Sequence, residues 1–321
     1  MAMWRGAIAS IGICLALLQP NAAQAQSYPS RPITMLVSLP AGGVADTTAR
    51  LFARAVSATI GQQIVVENKP GASGIIAMRG LMQAQPDGYT IMFSTSGTHT
   101  ILPGLQSVPY DPFYDFEPVT MLAKSPMILA VPAASPVKSP SDLVAYSKSK
   151  PDGLNFGTLG RGSTPDLLGR LFQQASKANM TFVPYKGSSD LMVDFITGRV
   201  DFVFSSFITL RPFLDDRKVR VLAVDIEKRW EGLPDVPTTA EAGYPDAVSN
   251  TWFALVTTKN TPRTIVDKLH TEFVKAAREP EVIRQAQRDG NQVVTSTPEE
   301  LRALMIREAR QFEPILKAMQ R

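Results

Sequence analysis

One cysteine and two histidines are all that 321 residues supply of the side chains most used for metal ligation and nucleophilic catalysis. The cysteine, Cys14, lies near the start, so past it no disulfide can form and small disulfide-stapled folds are excluded. His99 falls in a loop and His270 in a helical run, and neither has a visible catalytic partner. No H-E-x-x-H, no paired cysteine and no G-x-S-x-G elbow occurs. The adjacent carboxylates Asp215 and Asp216 sit among basic residues and suit a surface turn. No catalytic residue, metal or cofactor is therefore expected. Charge of one sign is also scarce. Lys plus Arg number 33 against 29 acids, and the densest basic cluster, Arg217, Lys218 and Arg220, is short, so a nucleic-acid partner is not expected. Beyond the first 25 residues no apolar run approaches the ~18 residues of a membrane span.

Those first residues carry one charge, Arg5, then an apolar run from Ala7 to Leu18, Pro20, and the small triplet Ala23-Gln24-Ala25. This order predicts a secretory signal peptide cut after Ala25 and a periplasmic destination. A membrane anchor would need ~20 apolar residues, and Pro20 closes the run first. Ile13 before Cys14 is bulky where lipoprotein processing needs a small residue. The exported chain must then be stable through its core alone, and its length suits about two domains.

Periodicity predicts strands at 33–38, 63–67 and 89–94, with helices at 46–60 and 74–84 between them. From Met127 the grammar restarts. Strands are expected at 127–131, 154–157, 181–184, 200–205 and 219–224, and helices at 141–148, 166–178 and 188–197. Residues 228–246, rich in Pro and Gly, read as a connection. A strand at 250–257 and helices at 262–278, 280–289 and 298–319 follow. The strand-loop-helix unit recurs without a repeat in the sequence itself. Alternating strands and helices predict parallel sheets covered on both faces, in two lobes with a cleft between.

Four loops could line that cleft. The first is the glycine corner Pro40-Ala41-Gly42-Gly43 before Asp46, where loss of Cβ lets an acceptor reach the N–H groups of a helix's first turn. An ordinary turn capped by Asp46 accounts for the same residues. A nucleotide site would use Glu67 on the ribose, but Gly42-Gly43 lacks the G-x-G-x-x-G spacing. A second corner, Gly160-Arg161-Gly162-Ser163-Thr164 followed by Pro165, again leads a strand into a helix. Ser94, Thr95, Ser96, Thr98 and His99 follow one strand, and Tyr185, Lys186 and Gly187 precede a helix. Each singly reads more readily as an ordinary turn, but four together stand at strand ends, where open α/β sheets bind ligands. Trp252 serves either as a stacking platform at the hinge or as core, and core is favoured for a large aromatic.

At these loops the chain resembles the Bug family, the periplasmic solute-binding receptors of tripartite tricarboxylate transporters. The resemblance runs through Tyr28-Pro-Ser-Arg-Pro-Ile33, Pro40-Ala-Gly-Gly-Val-Ala-Asp46, Val66-Glu-Asn-Lys-Pro-Gly-Ala-Ser-Gly74, Pro86-Asp-Gly-Tyr89, Pro184-Tyr-Lys-Gly187, Val200-Asp201, Pro237-Thr-Thr-Ala-Glu-Ala-Gly243 and Trp252. It implies a type II periplasmic-binding-protein fold, with residues 26–124 and 227–321 in lobe 1, residues 125–226 in lobe 2, and the C-terminal helices packed on lobe 1. It further implies a small carboxylate solute held by backbone N–H groups from the corners at 40–46 and 160–164. The implied partners are membrane permease subunits and, in addition, a sensor-kinase ectodomain, with the receptor itself a monomer. Two positions depart from the family pattern: Asp166 stands where His is frequent, and Ser205 where Asp is frequent. An acid at the start of a helix competes with a ligand anion unless offset, with Arg161 the nearest cation in sequence. Without the usual acid, Ser205 favours a carboxylic acid over an amino acid. An exported α/β enzyme acting on a small carboxylic acid is the alternative, disfavoured by the missing nucleophile and base. A LysR-type ligand-binding domain is disfavoured by the signal peptide and the lack of a DNA-binding helix-turn-helix.

Overall fold

The computed structural model describes residues 28–226, 228–249 and 251–320. The expected signal peptide and its cleavage point lie outside the described residues. The elements are, in chain order, β1 Ile33–Val37, α1 Val44–Ile60, β2 Ile64–Asn68, α2 Ile75–Met82, β3 Thr90–Thr95, α3 Leu102–Leu105, β4 Phe116–Lys124, β5 Met127–Pro132, α4 Pro140–Ser149 and β6 Leu154–Thr158. There follow α5 Thr164–Ser176, β7 Met180–Pro184, α6 Ser188–Ile196, β8 Phe202–Ser206, α7 Phe207–Asp215, β9 Val219–Val224, β10 Trp252–Thr258, α8 Arg263–Ala277, α9 Pro280–Arg288, β11 Gln292–Val293 and α10 Pro298–Gln320.

Two sheets result, ordered β11-β4-β10-β3-β1-β2 and β7-β6-β8-β5-β9. Helix α1 shows why these segments fold as they do. Ala45, Ala49, Phe52 and Val56 recur at helical spacing and are buried against β1 and α8, and Gly61 ends the helix in the left-handed region at φ 88°. The sheets are mixed rather than parallel as expected. Strand β10 runs antiparallel to both β3 and β4, and β5 antiparallel to β8 and β9. The cause is connectivity: the chain leaves the first lobe after β4 and returns through β10, so the strands on either side of each crossing run against their neighbours. β4 itself escapes a period-two reading because nearly all of it is buried. Its Pro118, which cannot donate to the ladder, stands opposite Val256 at a register shift.

Two segments cross between the lobes, and one carboxylate ties them together. The Ser125 N–H donates to the Thr251 carbonyl at 2.9 Å and the Asp225 N–H to the Met127 carbonyl at 3.0 Å. The Asp225 side chain, 1 % exposed, accepts from the Met127 N–H, the Ser249 N–H and the Ser249 hydroxyl. Burial pushes its pKa up to about 7 against the pull of those bonds.

Residues 228–249 pack with the second sheet, not with the first lobe from 227 onward. Trp230 joins the core around Phe195 and Leu210, Tyr244 stacks edge-on to Phe172 at 5.1 Å, and the Thr239 N–H reaches the Val224 carbonyl. Helix α10 also differs from expectation. Leu301 and Met305 lie against β10 beside Trp252, but Phe312, Leu316 and Met319 meet Ile101 on one side and Leu167 of α5 on the other. Both lobes therefore share its C-terminal half, where each buried Phe or Leu contributes about 1.5–3 kcal/mol.

Candidate functional site

After β1 the chain passes through exposed Leu39, Pro40, Ala41 and Gly42 before α1 begins. Gly42 adopts φ +83°, and its N–H turns inward to the Asp46 carboxylate at 2.9 Å. Arg50, one turn on, and Asn68 from the end of β2 bind the same carboxylate. Burial alone would raise the Asp46 pKa, but these bonds hold it below the usual carboxylate range. Asp46 thus braces the corner instead of capping the helix. No side chain caps α1, so its first-turn N–H groups remain outward donors.

The second corner repeats this construction at a spacing of 120 residues. Gly162 also has φ +83°, its N–H donates to Asp166 at 3.1 Å, and Arg170 pairs with Asp166 at 3.3 Å. The legible signal is Asp46-x-x-x-Arg50-Leu51-Phe52-x-x-Ala55 against Asp166-x-x-x-Arg170-Leu171-Phe172-x-x-Ala175, a repeat that the strand-helix grammar alone does not expose. It answers the charge problem at Asp166: Arg170 offsets that acid, whereas Arg161 is exposed and makes no ion pair among the described residues. Ser163 caps α5 through the Asp166 N–H at 3.3 Å and donates to the Gly160 carbonyl at 2.7 Å. Ser163→Ala is expected to cost about 1 kcal/mol of stability, measurable by urea unfolding.

The two corners open on space. A Cβ added at Gly42 or Gly160 would meet nothing within 4 Å, and the same holds at Gly187. A Cβ at Gly162 would fall 2.6 Å from Leu105 Cδ1, so the second lobe's corner stands against the first lobe's 97–105 segment. The Tyr185 N–H bonds the Thr158 carbonyl, which sets the 185–187 loop beside that corner. The Tyr185 hydroxyl is turned away, donating to Asp194 at 2.8 Å, while Lys186 is exposed. Helices α6 and α7 likewise begin without a side-chain cap, behind Gly187 and Ser206. Ser205, 8 % exposed, pairs in the sheet with Ile128 just before α7. Grooves of 420 and 540 Å³ lie on other parts of the surface, one lined by Phe207, Trp230 and Arg288 and one by Thr261, Arg302 and Ile306.

The loop after β3 divides. Thr95 is half-buried at the strand end, while Ser94 and Thr98 bond each other at 3.1 Å. The Ser96 hydroxyl is buried without a partner among the described residues. His99 is core, contrary to its place among the expected ligand contacts. It is 1 % exposed, stacked on Trp252 with centroids 6.1 Å apart, edge-on to Phe116, and its Nδ1 faces the Pro112 carbonyl at 2.7 Å. Burial pushes its pKa down to about 4, so it is neutral. The apolar pull of Phe116 and Trp252, distant in sequence, turns it inward. Trp252 is fully buried and donates to Glu308 at 2.7 Å, which fits its core reading.

Two α/β lobes joined by two crossing segments, with matching glycine corners where helices begin, define a two-lobed binding protein of type II periplasmic-binding-protein architecture. Residues 48–320 match the family described as tripartite tricarboxylate transporter family receptor, and the chain belongs to that family. BugT of Bordetella pertussis is 32 % identical over 97 % of this chain and 96 % of its own length. Among solved structures, the periplasmic binding protein BugD superposes with a TM-score of 0.78 at 32 % identity, covering 91 % of this chain and 98 % of that one. An R. palustris protein with adipate matches at 33 % identity with a TM-score of 0.81, over 91 % of this chain and 98 % of its own. MatC from Rhodopseudomonas palustris with bound malate matches at 31 % identity with a TM-score of 0.78, over 90 % of this chain and 100 % of its own.

Proposed function

We propose that this chain is a periplasmic receptor that closes on a small carboxylate, without turning it over, and presents it to the membrane permease of a tripartite tricarboxylate-type transporter. The observation that carries the reading is the pair of equivalent corners, Gly42-Asp46-Arg50 and Gly162-Asp166-Arg170. In each, an internal ion pair holds the glycine turn; α1 has no side-chain cap and Ser163 takes only the Asp166 N–H of α5, so further first-turn N–H groups of both helices are left for an anion. Pro40 to Gly43 form one jaw and Gly160 to Thr164 the other, with Ser94 to Thr98, Lys186, Gly187 and Ser205 around the remainder of the solute. Asp46 acts by bracing the first jaw. A micromolar complex requires about 8 kcal/mol, and three to five hydrogen bonds to a charged group at roughly 1.5–3 kcal/mol each supply it before the cost of association. Adipate and malate bound in related structures support the solute class. With Ser205 in place of an acid, a carboxylic acid is preferred to an amino acid.

The test is a thermal-shift screen of the chain from Gln26 onward against mono-, di- and tricarboxylates and amino acids. Selective ligands should raise the midpoint with concentration as binding to the folded state alone requires. A flat response to every acid, or conversion of a stabilising acid to product followed by NMR, would refute the reading. Mass spectrometry of a periplasmic extract should find a terminus at Gln26.

A further inference from the structure

Besides the approach of Leu105 to Gly162 and the packing of α10 on α5, the lobes touch at a further close contact. Phe207 opens α7 in the second lobe, and Gly290 follows α9 in the first. Gly290 has φ +84°, and a Cβ added there would lie 2.5 Å from Phe207 Cβ and 3.0 Å from its Cδ1. The nearer atom is itself a Cβ, fixed by the α7 backbone, so no rotamer of Phe207 relieves the contact. The Phe207 ring is in turn held edge-on by Trp230, with centroids 4.8 Å apart. Two hydrogen bonds cross at the same level, Arg211 Nη1 to the Arg288 carbonyl at 3.3 Å and Gln287 Nε2 to Glu231 Oε2 at 3.0 Å.

The glycine loop is anchored to the candidate site. The Asn291 N–H bonds the Ala286 carbonyl at 2.8 Å, and its buried Nδ2 donates to Thr48 Oγ1 at 2.9 Å. Thr48 donates in turn to the Val44 carbonyl at 2.7 Å, in the first turn of α1. A continuous set of contacts therefore runs from Phe207 of one lobe to the helix start that carries the other lobe's glycine corner.

We propose that Phe207 and Gly290 are positioning residues for solute capture: their contact is the stop that sets how far the second lobe closes and where it meets the first turn of α1. Glycine is required at 290 because any side chain there would hold the lobes apart. The inference rests on the receptor reading only in that the lobes open and close.

The chain begun at Gln26 has no thiol, so Lys148→Cys and Lys275→Cys, exposed and on different lobes, can carry nitroxide labels. Their separation is measured by pulsed electron resonance without solute and with malate or adipate in millimolar excess. Gly61→Ala is the control, because φ there is +88° and an added Cβ meets nothing within 4 Å, so it has the same backbone strain without the contact. The expected result is that Gly290→Ala loses the shortest interlobe distance that the parent and Gly61→Ala share, and that affinity for whichever acid binds falls at least tenfold. Phe207→Gly, which removes both the Cβ and the ring, should broaden the distance distribution of a normally folded chain and so tests the stop even if Gly290→Ala does not fold. The proposal is overturned if folded Gly290→Ala reaches the parent's shortest distance, if Phe207→Gly leaves the distribution unchanged, or if the parent shows a single distance under every condition. Failure of both acids to bind while the variants shift the distances as expected would count against malate and adipate as solutes and leave the stop standing.

Discussion

Asp225→Ala is expected to destabilise the protein by about 3–5 kcal/mol at pH 5, because it strands three buried donors in the hinge at about 1–3 kcal/mol each, with partial relaxation. Those donors are the Met127 N–H, the Ser249 N–H and the Ser249 hydroxyl. The loss should be smaller at pH 8. Burial raises the folded pKa of Asp225 to about 7 from an ordinary 3.8, so between those values the folded state binds the extra proton. Stability contributed by the group is therefore full below about pH 4 and falls as pH rises through 7. The variant lacks that dependence, and the difference between parent and variant shrinks accordingly at high pH. Glu308, pushed up to about 7, and His99, pushed down to about 4, titrate alike in both chains and cancel from the difference. Urea unfolding at the two pH values checks this. An equal loss at both, or a loss under about 1 kcal/mol, would mean that the hinge does not depend on an ionisable buried carboxylate.

The second large effect is on binding. Gly43→Val should lower affinity for a stabilising carboxylate at least tenfold, about 1.4 kcal/mol, with only a modest fall in the unliganded melting temperature. Gly43 has φ −81° and ψ 172°, ordinary extended backbone, and an added Cβ would sit 3.7 Å from the Pro40 carbonyl. A side chain is therefore tolerated by the fold while its branches enter the approach to the α1 N–H groups. The positive φ belongs to Gly42 instead. Gly162→Val should show a matching loss of affinity with a larger loss of stability, since it adds left-handed strain at φ +83° and presses on Leu105. Calorimetry on both folded variants decides the matter: wild-type affinity at both sites would reduce the glycines to turn residues.

By itself the sequence determined most of what is local or periodic. Strand β9 stands where alternation places it, and α1, α5 and α6 begin within two residues of their expected starts, because apolar spacing and glycine conformations act over a few residues. The glycine corners were legible for the same reason. Even the 120-residue repeat of Asp, Arg, Leu, Phe and Ala is present in the chain, although its meaning depends on seeing Asp46 and Asp166 turn back to the same N–H position. Tertiary structure decided the remainder. Whether β10 pairs antiparallel between β3 and β4, whether 228–249 folds onto the second sheet, and whether α10 serves one lobe or two depend on contacts between residues far apart in the chain. His99 illustrates the physical reason. Ser and Thr around it mark a polar loop, but Phe116 and Trp252 arrive from elsewhere to bury its ring, and only their arrival separates a ligand contact from a core side chain. The same holds for Gly290: its φ of +84° is a local feature, but the close approach of Phe207, 83 residues away in the chain and on the other lobe, is visible only in the fold.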